Sequence, residues 1–359
     1  MTSYLLAGGG TAGHVNPLLA VADGLRARDA DARVAVLGTD EGLEARLVPA
    51  RGYDLLTIPK VPFPRRVDAD ALRFPARFAG AVARSREHLR ALAADVVIGF
   101  GGYAAAPAYV AARREGIPVV VHEANARPGL ANILGSWSAA ATGIAFPGTR
   151  LRGAQLVGMP LRREIAALDT GRMRPVAAAY YGLDPQRPTL LVFGGSLGAA
   201  RLNDALAHVA PELIASGYQI VHLTGERWRG PEIAVAGYVR RPYEQRMDLA
   251  YALADVIVSR AGAATVSEIS ALGIPAIYVP YAVGNGEQAR NAAGAVAAGA
   301  ARLVPDADLT AERLLTEAMG FMRDPGSLER MRAAASAVAR RDGTEKLLAL
   351  VDAAVAAPG

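Results

Sequence analysis

The sequence predicts an α/β protein made of two doubly wound units, each with a parallel sheet. Three observations carry this prediction. Short β-branched runs alternate with Ala/Leu-rich helical stretches along nearly the whole chain. The alternation completes one series, passes a turn-rich connector, and starts again. At 359 residues the chain also exceeds what one hydrophobic core ordinarily organises.

In the first series, strands are expected at 4–7, 33–37, 54–58, 96–99, 119–122, 142–145 and 155–157. The connector is Gly158-Met-Pro160-Leu-Arg162. The second series is expected at 189–193, 219–223, 233–236, 256–259, 276–279 and 301–303. Residues 327–356 read as helix, interrupted near Asp342-Gly343. An internal likeness supports two similarly folded halves. The stretch from Asp95 through a glycine turn to Gly116-Ile-Pro matches the stretch from Asp255 to Gly273-Ile-Pro.

Composition bounds the chemistry. With 52% hydrophobic and 20% charged residues, the chain can bury a large core. It has no cysteine, which removes disulfides, thiol catalysis and cysteine-ligated metals, and suits a reducing compartment. Residues 1–10 lack the basic start and long apolar run of a signal peptide, and no stretch is long and apolar enough to span a bilayer. The net charge of +5 comes from unevenly placed arginines and points to an anionic partner. Nucleic acid is not expected.

Glycine-rich turns follow four expected strands: Gly8–Gly13, Gly99–Gly102, Gly194–Gly198 and Arg260–Thr265. Such turns let a backbone approach a ligand, and the helix that follows presents free amides to an anion. With hydroxyls from Thr11, Ser196 and Thr265 in the same turns, the set reads as phosphate cradles. None carries a P-loop lysine, so NTP hydrolysis is not expected. Gly8-x-Gly10-x-x-Gly13 also spells the dinucleotide fingerprint. That reading needs an acid at the end of the second strand, where Gly38-Thr39 stand instead, with Asp40 beyond.

Glu268, on the first turns after Gly262, is a candidate acceptor for ribose hydroxyls. His14 and His122 each follow a strand at a glycine or polar turn, where an imidazole can act as general base. Histidines 88, 208 and 222 are isolated and read as structural. The three Asp-Ala-Asp triplets (29–31, 68–70, 306–308) fall in polar connectors and read as surface loops, so no metal site is expected.

The motifs GGGTAGHVNP (8–17), GFGGY (99–103), HEANARPGLAN (122–132), VGMPLR (157–162), FGGSLGA (193–199), RAGAATVSE (260–268) and GNGEQARNA (284–292) recur in the order and approximate spacing of the MurG family, closest to its actinobacterial members. The resemblance covers nearly the whole chain. It implies a GT-B glycosyltransferase fold, with two Rossmann-like domains facing across a cleft: residues 1–161 for the acceptor, 162–338 for the donor, and a C-terminal helix in 339–359 packing back on the first. It also implies an inverting hexosyltransferase of peptidoglycan biosynthesis. N-acetylglucosamine would pass from UDP-N-acetylglucosamine to the C4 hydroxyl of the N-acetylmuramyl unit of lipid I, giving lipid II.

Carried over by motif position, the resemblance makes His14 the catalytic base. On the donor side it implies Arg162, Ser196, Tyr243, Glu244, Gly262, Ala263, Ala264, Thr265, Glu268, Glu287, Gln288 and Asn291. On the acceptor pyrophosphate it implies Gly10, Thr11, Ala12, Gly13, Gly101, Gly102, Tyr103 and Asn125. Leu197 stands where relatives usually carry glutamine, and Glu287 where some carry glutamine. No cofactor is implied beyond the donor, with a divalent cation at most stimulatory. The stretch 62–90 holds seven arginines against three acids. Its Phe63, Leu72, Phe74 and Phe78 suit an anionic membrane surface. The implied partners are therefore UDP-N-acetylglucosamine, lipid I, the cytoplasmic face of the cell membrane as a peripheral site, and other wall-synthesis proteins.

Three rival readings remain open on the residues: a GT-B enzyme for a small natural product, an NAD(P)-dependent oxidoreductase, and a non-catalytic nucleotide-sugar binder.

Overall fold

A computed structural model of the chain describes residues 1–64, 69–195, 198–281 and 286–357. It divides into two compact units, 1–162 with 341–359 and 163–340.

Unit 1 runs β1 (Ser3–Gly8), α1 (Ala12–Arg28), β2 (Arg33–Gly38), α2 (Glu44–Ala50), β3 (Asp54–Thr57), α3 (Ala69–Leu92), β4 (Val96–Gly101), α4 (Ala105–Glu115), β5 (Val119–Glu123), α5 (Leu130–Ser136), β6 (Ala141–Ile144) and β7 (Ala154–Leu156). The strands form one parallel sheet in the order β3-β2-β1-β4-β5-β6-β7. Leu5, Val97 and Val121 point to one face, where Ala81, Val82 and Leu89 of α3 and Tyr109 of α4 cover them. Leu6, Val36 and Ile98 point to the other. That second face is closed by Leu18 and Val21 of α1.

Unit 2 begins with α6 (Arg163–Ala166) and α7 (Thr170–Tyr181), then β8 (Thr189–Phe193), α8 (Ala200–Ala215), β9 (Gln219–Leu223), β10 (Tyr238–Arg241), α9 (Met247–Leu253), β11 (Val256–Ser259), α10 (Ala263–Leu272), β12 (Ala276–Tyr278), α11 (Glu287–Ala297) and β13 (Ala301–Leu303). After a short 3₁₀ turn at Asp306–Asp308 come α12 (Ala311–Arg323) and α13 (Pro325–Val338). Its parallel sheet has the order β10-β9-β8-β11-β12-β13. The final helix, α14 (Gly343–Ala356), returns to unit 1, where Leu347, Leu348 and Val351 join the core beside α1.

The internal likeness has a physical basis. Asp95 accepts from Ser3 N at 2.7 Å at the start of β1, and Asp255 accepts from Thr189 N at 2.9 Å at the start of β8. Gly116 and Gly273 close the following helices in left-handed conformation.

One strand lies elsewhere than expected. The apolar run 233–236 is loop, and the edge strand starts after Gly237, whose φ of +94° turns the chain. Ile233 spends its apolar side chain on the core instead. An edge strand needs only one bonded neighbour, so the polar Tyr238–Arg241 serves. The triplet at 306–308 is likewise no plain surface loop, because Asp306 pairs with Arg260 and Arg201.

In both sheets the connection order reverses between the first and fourth strands of the unit, β1/β4 and β8/β11. Doubly wound folds open their ligand crevice at that point. The crevices are thus set by the turns after β1 and β4 in unit 1, and after β8 and β11 in unit 2.

Candidate active site

In unit 1 the turns after β1, β4 and β5 enclose a pocket of about 490 Å³. Its walls include His14, Gly101, Gly102, Tyr103 and Asn125, five of the residues named from sequence. Gly102 shows why the turn needs glycine. Its φ is +81°, and a Cβ there would sit 2.4 Å from the carbonyl oxygen of Gly9. The two turns therefore touch backbone to backbone.

His14 lies in the first turn of α1, directly after Gly9-Gly10-Thr11. Its Nδ1 donates to the Gly9 carbonyl at 3.1 Å, with Thr11 Oγ1 at 3.3 Å. A carbonyl only accepts, so the proton of the neutral ring sits on Nδ1. That leaves the Nε2 lone pair on the edge facing Gly101 and the pocket.

Thr11, Ala12 and Gly13 form the start of α1. Gly10 differs from them: its amide is taken at 2.7 Å by Glu44, so that amide is not free for a pyrophosphate. Glu44 is 1% exposed and also accepts from Thr39 N and Oγ1 at 3.0 and 2.8 Å. The oxidoreductase reading wanted a carboxylate at this end of β2 to face a ribose; Glu44 there is buried and committed to two backbone amides and the Thr39 hydroxyl.

His122 is corrected as a candidate base. It is fully buried, and its Nε2 donates to the Gly158 carbonyl at 3.0 Å. Burial lowers its pKa to about 4, so it stays neutral and structural. Sequence reasoning missed its neighbours. Glu123, 2% exposed, accepts from the amides of Asn125 (2.8 Å) and Gly129 (3.0 Å) and from Asn132 Nδ2 (2.9 Å). Asn132 Oδ1 in turn accepts from Tyr109 at 2.7 Å. The signal was present in HEANARPGLAN, where two polar residues flank the expected Asn125.

Of the four apolar residues expected at a membrane, Leu72 is 83% exposed. Phe63, Phe74 and Phe78 instead cluster, with ring centroids 5.5–6.4 Å apart, and pack partly buried against the core. An apolar face the sequence reading missed lies on α5 and just after it. Leu130, Ile133, Leu134 and Trp137 repeat at helical spacing and are all exposed, and Leu130 also lines the pocket.

In unit 2, Gly262 precedes α10, and Val266 N is the first amide bonded within that helix, to the Gly262 carbonyl. Ala263, Ala264 and Thr265 thus form an open first turn. Glu268, 7% exposed, accepts from Tyr251 OH at 2.8 Å. Gln288 Oε1 accepts from Ala261 N and Tyr281 N, and Asn291 Nδ2 donates to the Ala261 carbonyl. Both side chains thereby brace the turn before Gly262, and Glu287 begins the helix that carries them.

Tyr243 is exposed beside β10. The buried Glu244 carboxylate accepts from Tyr180, Tyr181, Arg241 and Arg246 N, which leaves only its backbone for a ligand. Arg162 is the residue at which the chain leaves unit 1. Ser196 and Leu197 lie outside the described residues, as does the start of the 284–292 motif. Among the described residues no three His, Cys, Asp or Glu side chains gather into a metal-binding set, and no helix is long and apolar enough to cross a membrane.

The family models for the glycosyltransferase family 28 N-terminal and C-terminal domains match residues 4–144 and 189–347. The crystal structure of MurG from Acinetobacter baumannii superposes with a TM-score of 0.75 at 27% identity, over 98% of this chain and 100% of that one. A protein of Clavibacter michiganensis subsp. michiganensis, named UDP-N-acetylglucosamine--N-acetylmuramyl-(pentapeptide) pyrophosphoryl-undecaprenol N-acetylglucosamine transferase, is 58% identical over 99% of this chain and 98% of its own length. The chain belongs to the MurG family, within glycosyltransferase family 28. A second MurG-family relative, from Streptomyces avermitilis, bears the same name at 50% identity over 98% of both chains. The glycosyltransferase of kitacinnamycin shares the fold, with a TM-score of 0.72 at 19% identity over 98% of each chain. MurG membership makes the fold GT-B and the two units its Rossmann-like domains.

Proposed function

We infer that this chain is the inverting transferase that moves N-acetylglucosamine from UDP-N-acetylglucosamine to the C4 hydroxyl of the N-acetylmuramyl unit in lipid I, forming lipid II. The observation that carries this is end-to-end identity of 58% to a transferase of that name, supported by a histidine whose Nε2 edge faces the pocket of unit 1. In the reaction the C4 oxygen attacks the anomeric carbon, the carbon–oxygen bond to the diphosphate breaks, and His14 Nε2 takes the hydroxyl proton. One displacement inverts the anomeric centre and needs no enzyme nucleophile.

On the donor side, the open turn of α10 and Thr265 would face the diphosphate, and Glu268 the ribose. Gln288 and Asn291 would act by holding the turn. Arg162 would offset charge growing on the departing UDP, so that a divalent cation only stimulates. The acceptor pyrophosphate would meet Thr11, Ala12, Gly13, Gly101 and Gly102, with Tyr103 and Asn125 beside it. The exposed face of α5, continuous with the pocket through Leu130, and Leu72 support peripheral contact with the cytoplasmic membrane surface.

The test is UDP release from UDP-N-acetylglucosamine with a lipid I analogue against a panel of small aglycones. Transfer to the lipid alone is expected; transfer only to an aglycone overturns the reading. Unchanged transfer by His14→Ala removes His14 as the base.

A further inference from the structure

We propose that Glu44 is the positioning residue for the base, acting through one peptide group. The proposal rests on His14 being that base. The Gly9 carbonyl and the Gly10 amide are two ends of a single planar peptide. Glu44 Oε2 accepts from the amide end at 2.7 Å, and His14 Nδ1 donates to the carbonyl end at 3.1 Å. Carboxylate, peptide and imidazole thus form a continuous chain from the buried interior to the pocket.

The arrangement is built around the carboxylate. A Cβ on Gly9, Gly38 or Gly42 would come within 2.2, 2.6 or 2.1 Å of a Glu44 atom, so three glycines clear its space. Burying a carboxylate is costly unless its oxygens are satisfied. Here Oε1 takes both donors of Thr39 and Oε2 takes Gly10. Only a group that accepts on both oxygens can meet all three donors at once.

Two consequences follow for His14. A peptide between two glycines flips easily, and Gly10 already holds φ of +89°. Flipping would aim the carbonyl at the carboxylate, so Glu44 locks the plane and with it the Nδ1–H tautomer. The negative charge also polarises the peptide, making the Gly9 oxygen a stronger acceptor as His14 gains its second proton. The residue does for His14, through an amide, what a directly bonded carboxylate does in a catalytic triad.

Glu44→Gln tests this in the full-length protein. Its amide must turn N–H₂ toward either Gly10 or Thr39, setting donor against donor. The expected kcat loss is roughly ten- to a hundredfold, the scale of a charge-assisted hydrogen bond, with KM for UDP-N-acetylglucosamine within about twofold. Nitrogen-15 NMR of labelled histidine should show His14 as the Nδ1–H tautomer in the parent and as a mixture in the variant. A kcat within twofold, or an unchanged tautomer, overturns the proposal. Should Glu44→Gln fail to fold, Thr39→Val, which removes only the hydroxyl donor, is expected to lower kcat in the same direction by a smaller factor; full activity there overturns the proposal too. His14→Gln separates the two ideas. If it retains transfer, the base assignment fails, while the tautomer measurement still decides whether Glu44 sets the imidazole.

Discussion

Acidification should weaken unit 2 through one histidine. His222 on β9 is fully buried; its Nδ1 takes a hydrogen bond from Tyr238 OH at 2.7 Å and its Nε2 donates to Asn203 Oδ1 at 3.1 Å. Burial, with Arg240 adding to it, lowers its pKa from 6.5 to about 3. The folded value lies below the unfolded one, so the associated stability is present above pH 6.5 and is lost as pH falls toward 3. Between pH 7 and 5 the unfolded chain takes up about 0.7 of a proton here and the folded chain almost none, which costs about 2 kcal/mol.

The chain has two tryptophans, and Trp137→Phe leaves Trp228, whose ring centroid lies 5.4 Å from that of His222. Urea unfolding of that variant, followed by Trp228 fluorescence at pH 7, 6 and 5, should show the loss. In a Trp137→Phe/His222→Gln protein the pH dependence should shrink by about the same 2 kcal/mol, whatever the baseline stability. Equal pH dependence in both would refute the reasoning. The effect reaches the turn after β8, because Asn203 Nδ2 holds the Thr224 carbonyl at 2.8 Å. Gly198 packs against that carbonyl so closely that a Cβ would lie 2.6 Å away.

Gly102→Ala should cost about 1–2 kcal/mol for its left-handed backbone and displace the Gly9 carbonyl that orients His14; thermal melts and kcat, falling at least about tenfold, check it. Glu268→Ala should raise the dissociation constant for UDP by roughly ten- to a hundredfold with little change for the acceptor, read by calorimetric titration. Tyr109→Phe leaves Asn132 Oδ1 without its donor under the pocket and should destabilise unit 1 by about 1–3 kcal/mol, measured by urea unfolding.

Among the described residues, every strand but β10 lies where the sequence places it, because most of them are buried on both faces and read as β-branched runs. The exception, β10, is an edge strand whose Tyr238–Arg241 ends in two arginines and follows a more apolar loop at 233–236, so composition pointed to the wrong run. The placing of His14 at a pocket and of the α10 turn after a strand was legible because each pattern is local, a strand followed at once by glycine and a polar residue. Glu44 was not. Thirty-four residues separate it from Gly10, and nothing in DEGLEARL distinguishes a carboxylate that folds under a turn from one in solvent. The packing of Phe63, Phe74 and Phe78 against the core was not legible for a related reason: composition gives apolar content, and only packing decides which rings turn partly inward.

The route of the chain through the two units has a bearing on biosynthesis. Unit 2 is one uninterrupted length, 163–340, whereas unit 1 is written in two pieces. Leu347, Leu348 and Val351 of α14 fill the hydrophobic layer beneath the sheet of unit 1, yet follow every residue of unit 2 in the chain. On the ribosome, unit 2 can therefore complete itself first. The half bearing His14 must wait, with an apolar face uncovered, until its closing helix emerges.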